Sequence, residues 1–345
     1  MTLAAVGCGG GGGGGGDKIA LLLPESKTAR YESHDRPDFE KKAKALCSKC
    51  SIIYSNANQD PATQQSQAES ALTQGAKVLV LDAVDAASAA TIVAKAKAQK
   101  VPVVSYDRLI TNADIDYYVS FDNVQVGRLQ ASTLANKLKS MGKASGPITM
   151  INGAPTDNNA KLFKQGATSV FKSSGINVAK QYDTPDWSAD KAQTEMQQAI
   201  TALGNNGFAG VYAANDATAG GAIAALKGAG INPATRPTTG QDAELDAIQR
   251  ILAGQQFMTV YKAVTPEASD AAELAVALVK KQKPRAGLIN QQVDNGKKKV
   301  PSVIFTPVAV TKANVKDTVV KDKFWTAQQI CTSAFAAACK AAGIS

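Results

Sequence analysis

From Asp17 onward, short apolar runs alternate with longer stretches in which apolar residues recur at helical spacing. The runs that read as strands are Lys18–Leu23, Ser51–Ser55, Lys77–Leu81, Val101–Ser105, Tyr117–Phe121, Pro147–Ile151, Asn177–Tyr182, Ala209–Ala213, Pro237–Gly240, Met258–Tyr261 and Ser302–Thr306. Several are almost free of polar residues, as a strand buried on both faces requires. The stretches between them have legible helix ends. In "NQDPATQQSQAESALTQGAK", Asp60 is placed to cap free N–H groups, Pro61 fits the first turn, and Gly75 stands just past the last. Strands separated by helical segments pair in parallel through right-handed crossovers. Eleven strands over 345 residues are too many for one comfortable doubly wound sheet. The pattern therefore predicts an α/β protein of two doubly wound parallel-sheet lobes.

Ligands of open α/β sheets gather beyond the carboxyl ends of the strands, and the hydrogen-bonding residues of this chain concentrate there. "VPVVSYDRLI" runs from a buried strand straight into Asp107 and Arg108. Taken alone, that pair reads equally well as a surface turn. But "PESKTARYESHDR", "NGAPTDNNAK", "DTPDW", "ANDATAGG", "QDAE" and "YK" follow six further strands in the same way. Seven such clusters predict a lined cleft.

Composition narrows what the cleft does. The chain carries a formal charge of +9, but its lysines are scattered through helices, and "GKKKVP" is the only tight basic run. It has no interleaved aromatic residue, so a nucleic-acid footprint is not indicated. There is a single histidine, His34, which reads as polar surface and excludes a histidine-rich metal centre. No Gly-x-Ser-x-Gly elbow, Walker motif or dinucleotide fingerprint occurs. A carboxylate pair such as Asp107 with Asp242 suggests glycosidase chemistry, but Arg108 beside Asp107 depresses its pKa and argues against a general acid. Amides, carboxylates, guanidinium and ammonium groups with Tyr31 and Trp187 among them suit an intact sugar. Its vicinal hydroxyls both donate and accept, and its C–H faces stack on aromatic rings. Neither a metal nor a cofactor is indicated.

The N-terminus and the cysteines bear on location. Ala5-Val6-Gly7-Cys8 resembles a bacterial lipobox, in which the cysteine is acylated, although the residue three before Cys8 is not leucine. The eight glycines that follow have the composition of a tether, with a reach of roughly 16 Å. The remaining cysteines form two local pairs, Cys47 with Cys50 and Cys331 with Cys339. Three connectivities are possible; local pairing is favoured over a zinc site, and two disulfides imply an oxidising compartment.

From Lys18 to about Val320 the chain resembles the type I periplasmic sugar-binding proteins of ABC transporters. The resemblance rests on "VSYDRLITNADIDYYVSFDNVQVGRLQA", "DNNAKLF", "ANDATAGGAI", "GQDAELDAIQRILAGQQFMTVYK" and "NVKDTVV". It implies a non-enzymatic, monomeric receptor that captures a monosaccharide, an aldopentose with D-xylose favoured, and delivers it to permease subunits. The rival readings are a sugar sensor that presents its closed form to a chemoreceptor or sensor kinase, and a sugar-modifying enzyme. By the same resemblance, Arg30, Asp107 and Arg108 bind hydroxyls from the first lobe. Asp157, Asn159, Asn215 and Asp242 do so from the second, and Lys262 reaches in from a hinge strand. Tyr31, where the family pattern carries tryptophan, and Trp187 supply aromatic contacts. Asp216, Gly220 and Gly221 read as helix-start and packing residues, Asn158 and Lys161 are undecided, and Tyr106 reads as core. Crossings between lobes are expected near Phe121–Val124, Gln256–Tyr261 and Val293–Val303. That gives a tether over 1–16, a first lobe of 17–121 plus 262–292, and a second of 122–261 plus 293–325. Residues 326–345 form a helical tail stapled by Cys331–Cys339. The tail and "CSKC" depart from the family pattern and fit a membrane-tethered variant, with Cys8 as the only membrane contact.

Overall fold

The computed structural model describes residues 17–344, so Cys8 and its polyglycine stretch lie outside the described residues. The first lobe is built on a seven-stranded sheet of β1 (Lys18–Leu23), β2 (Ser51–Asn56), β3 (Ala76–Leu81), β4 (Val103–Tyr106), β5 (Tyr117–Phe121), β10 (Gln291–Asp294) and β11 (Lys299–Phe305). Its order is β10-β11-β5-β4-β3-β1-β2. Only the β10–β11 pair is antiparallel.

Alternation along β1 shows why the sheet is buried on both faces. Ile19, Leu21 and Leu23 pack with Phe39 and Ala43 of α1 (Arg36–Leu46) and with α9 (Val264–Val279). Ala20 and Leu22 face α2 (Pro61–Thr73) and α3 (Ala90–Ala98) on the other side. As predicted, Asp60 caps α2, accepting from the N–H groups of Ala62 and Thr63.

The second lobe holds β6 (Ile148–Asn152), β7 (Val178–Asp183) and β8 (Gly210–Ala213) in the order β7-β6-β8, all parallel. A separate antiparallel pair joins β9 (Met258–Tyr261) to β12 (Val308–Thr311). Pro237–Gly240, predicted as a strand, makes only one isolated bridge, Val211 to Thr238. It nevertheless knits the two pieces together: Val211 donates to the Pro237 carbonyl, and Phe257 and Val260 donate to those of Thr238 and Gly240. Around these strands pack α4 (Asn123–Ser140), α5 (Asn158–Ser173), α6 (Ala189–Leu203), α7 (Asp216–Gly228) and α8 (Leu245–Leu252). Helices α4 and α5 meet backbone to backbone: a Cβ on Gly127 would lie 2.0 Å from the Phe163 carbonyl oxygen, so only glycine fits.

Two strands, β10 and β12, lie outside the runs read as strands from the sequence. β10 is polar and mostly exposed, and turns through Asn295 and Gly296, the latter at φ +88°, into β11. Because β11 pairs with β5, residues 291–305 belong to the first sheet and not to the second lobe. The third crossing accordingly lies between Phe305 and Val308, beyond the Val293–Val303 stretch that the sequence suggests.

Both expected disulfides form, Cys47–Cys50 and Cys331–Cys339. The tail is two short helices, Ala327–Ile330 and Ala336–Ala341, rather than one. Their buried Ile330 and Cys339 pack on Ile248, Ile251 and Leu252 of α8. His34 is not simple surface. It sits in a π-helical turn over Tyr31–Asp35 and stacks on Phe324, ring centroids 3.9 Å apart and planes 16° from parallel.

Candidate functional site

Between the lobes lies a small cavity. All ten predicted ligand-contacting residues line it: Arg30, Tyr31, Asp107, Arg108, Asp157, Asn159, Trp187, Asn215, Asp242 and Lys262. Each of the seven polar clusters contributes at least one. Thr28, Phe163 and Gln241 also line the cavity and were not singled out from the sequence. Thr28 and Gln241 stand inside recognised clusters, so their position gave a signal. Phe163 is one turn into α5 and reads there as core. Asn158, Lys161, Tyr106, Asp216, Gly220 and Gly221 are not among the lining residues.

Local backbone geometry aims the key groups. Asp107, directly after β4, has φ +50°, a left-handed conformation that asparagine and aspartate tolerate best. Its surroundings hold it there. Its N–H donates to the Val119 carbonyl at 2.9 Å. Its own carbonyl accepts from Tyr118 Oη at 3.2 Å, Ser120 Oγ at 2.6 Å and, across the cleft, Asn159 Nδ2 at 3.0 Å. Asp242 at φ +94° and Trp187 at φ +53° are similarly constrained. Such conformations cost about 1–3 kcal/mol each and persist where neighbours over-determine them. Trp187 lies flat against the chain because residue 153 is glycine; a Cβ there would be 1.9 Å from the indole.

Two cationic centres organise the cavity, and both are buried. Arg30 donates to Asp35 at 2.6 and 2.9 Å, to Glu267 at 2.7 Å and to Asp107 at 3.4 Å. Lys262 sits between Asp107 at 3.3 Å and Asp242 at 3.6 Å, tying a carboxylate of each lobe to one ammonium. Arg108 forms the other centre. Its Nε is 3.1 Å from Asp157 Oδ2 of the opposite lobe and 3.5 Å from Asp82, while a terminal nitrogen donates to Tyr31 Oη at 3.2 Å. Trp187 Nε1 donates to Asp157 at 3.2 Å, so aromatic and acid are fixed together.

The carboxyl groups differ in their electrostatics. Burial pushes Asp107 up, but Arg30, Lys262 and Arg108 together outweigh it and hold the group well below the usual carboxylate range. Burial dominates at Asp157 and raises it despite Arg108. Behind the cavity, burial drives Asp82, Glu25 and Glu267 upward, against the pull of Arg108 on the first two and of Arg30 on the third. These three acids cradle the arginines without touching the cavity. Arg108 Nε and Gln241 Oε1 are buried and make no hydrogen bond within the protein. With cations and carboxylates already matched, the cavity favours a neutral guest rich in groups that both donate and accept.

Known proteins agree with this arrangement. The family model of the periplasmic binding protein domain matches residues 19–283, and the chain belongs to that family. It is 41% identical over 311 residues to the D-xylose-binding periplasmic protein of Escherichia coli (strain K12), covering 89% of this chain and 90% of the relative. The protein of the same description from Haemophilus influenzae is 41% identical over 317 residues, 91% of this chain and 92% of the relative. The fold also superposes on an ABC transporter solute binding protein from Clostridium phytofermentans with bound β-D-glucose. There the TM-score is 0.80 at 28% identity, over 91% of this chain and 100% of that one.

Proposed function

We propose that the protein is an extracytoplasmic receptor that captures D-xylose between its two lobes and delivers it, chemically unchanged, to an ABC transporter permease. The observation that carries this reading is the convergence of matched charges and amides from both lobes on one small cavity walled by Tyr31, Phe163 and Trp187. Hydrogen bonds to charged groups contribute about 1.5–3 kcal/mol each, so a few of them reach the roughly 8 kcal/mol of micromolar binding.

The electrostatics of Asp107 support binding without turnover. A carboxyl held as low as that of Asp107 cannot serve as a general acid near neutral pH. His34 stacks on Phe324 and is not among the cavity-lining residues. Support for xylose in particular comes from the two D-xylose-binding relatives. Isothermal calorimetry with D-xylose, ribose, arabinose, glucose and galactose tests the reading. Xylose should bind most tightly; preference for another sugar overturns the pentose assignment, and no heat with any of them overturns the sugar site.

A further inference from the structure

Asp242 and Ala243 form a strained pair, with φ values of +94° and +51°, at the point where the second lobe offers a carboxylate to the cavity. Neither residue is glycine, so the turn must be held from outside. Three backbone groups of the pair are gripped. The Asp242 N–H donates to the Val260 carbonyl at 2.9 Å, and the Ala243 N–H donates to Thr259 Oγ1 at 3.2 Å. Both partners belong to β9. The third grip comes from the segment that leads into the tail: Trp325 Nε1 donates to the Ala243 carbonyl at 2.8 Å, 82 residues away in sequence.

Trp325 is itself buried and locked. It meets Phe324 edge to face at 5.5 Å and shares a core cluster with Ala243, Ile248, Val264 and Cys339. A buried indole N–H requires an acceptor, and the one that Trp325 takes is a carbonyl of the strained pair. We infer that Trp325 is a positioning residue for sugar binding: its hydrogen bond fixes the Ala243 carbonyl and so holds the Asp242 carboxylate at the cavity. This gives the segment just before the C-terminal tail a part in ligand affinity. The inference rests on Asp242 being a sugar ligand, as proposed above.

A double-mutant cycle separates the two claims. Sugar affinity is measured by calorimetry, and melting temperature recorded, for the wild type, Asp242→Asn, Trp325→Phe and the double variant. Trp325→Phe removes the donor and keeps an aromatic ring. It should weaken xylose binding roughly fivefold or more, and should add little in the Asp242→Asn background. Losses that multiply independently, or unchanged affinity in Trp325→Phe, would show that Trp325 merely packs. If Asp242→Asn alone binds like wild type, the site assignment fails and the inference with it. Should Trp325→Phe not fold, site-specific replacement of Trp325 by benzothienylalanine, isosteric but without the N–H, reads the same cycle with the same expected and contrary results.

Discussion

Arg108 of the first lobe and Asp157 of the second meet across the cleft, Nε to Oδ2 at 3.1 Å, with both side chains almost fully buried. The contact does two jobs. It joins the lobes, and it fixes Trp187, whose indole donates to the same carboxylate oxygen. Asp157 also caps α5 by accepting from the Asn159 N–H at 2.8 Å. Asp157→Asn keeps an oxygen for the cap and removes the charge facing Arg108. It should weaken sugar binding roughly tenfold to a hundredfold, the worth of one charge-assisted hydrogen bond. The melting temperature should fall as well, because the amide nitrogen replacing Oδ2 faces two buried donors, Arg108 Nε and Trp187 Nε1. Calorimetry and thermal unfolding on one preparation check both halves; a large loss of stability with intact affinity would make Asp157 structural.

Gly153 and Trp187 give a second test, one that removes no ligand-contacting side chain. A methyl on residue 153 would lie 1.9 Å from the indole, a clash that something must relieve by moving. Gly153→Ala should therefore displace Trp187 and weaken binding about as much as Trp187→Ala does. Trp187 and Trp325 are the only tryptophans. In a Trp325→Phe background, fluorescence reports Trp187 alone, and the shift seen on adding xylose should shrink in Gly153→Ala. Undiminished affinity would show that the ring is not a sugar platform.

Much of this was readable before any coordinates. The seven polar clusters singled out after strand-like runs all reach the cavity, as expected where parallel strands bring their carboxyl ends to one side. Asp107 and Arg108 could thus be recognised as a site from position and company. What the sequence hid has physical causes. β10 is polar on a mostly exposed edge, so no apolar alternation marks it. Pro237–Gly240 has the composition of a strand but a proline at its start and a short run, and it bonds as a bridge between two strand pairs. Asp82 and Glu25 look like ordinary loop acids; only the fold shows them buried behind Arg108. His34 looks like surface because its stacking partner Phe324 lies nearly three hundred residues on.

The two disulfides should differ in weight. Closing a loop removes chain entropy from the unfolded state, and more so for longer loops. Cys47 and Cys50 are separated by 3 residues in sequence, and Cys331 and Cys339 by 8. By that scaling the tail bridge contributes about 2–3 kcal/mol and the shorter one somewhat less. Cys331→Ser with Cys339→Ser should lower the denaturant midpoint more than Cys47→Ser with Cys50→Ser. Parallel urea titrations of the two double variants decide it, and the reverse order would point to strain or residual structure in place of loop entropy.

Affinity should also depend on pH through His34. Its ring lies against Phe324 and, edge on, against Trp325, with centroids 3.9 and 4.7 Å away, so the first lobe touches the end of the second through one imidazole. Its Nε2 is buried without a hydrogen bond. Burial lowers its pKa below the ordinary 6.5; Asp35 and Asp38 pull the other way, and Arg30 reinforces the fall. The neutral ring therefore favours the state in which the lobes meet, while protonation favours their separation. The contribution is complete above pH of about 6.5 and is lost as pH falls from there through the lowered value. Xylose affinity should decline between pH 7.5 and pH 5 in the wild type. His34→Phe, which keeps the stack and cannot titrate, should decline less over the same interval. Buried acids such as Asp216, pushed by burial up to about 8, are common to both proteins and cancel in the comparison. Calorimetric titrations at a series of pH values read the difference directly. Identical slopes would mean that the His34–Phe324 contact does not change when sugar binds.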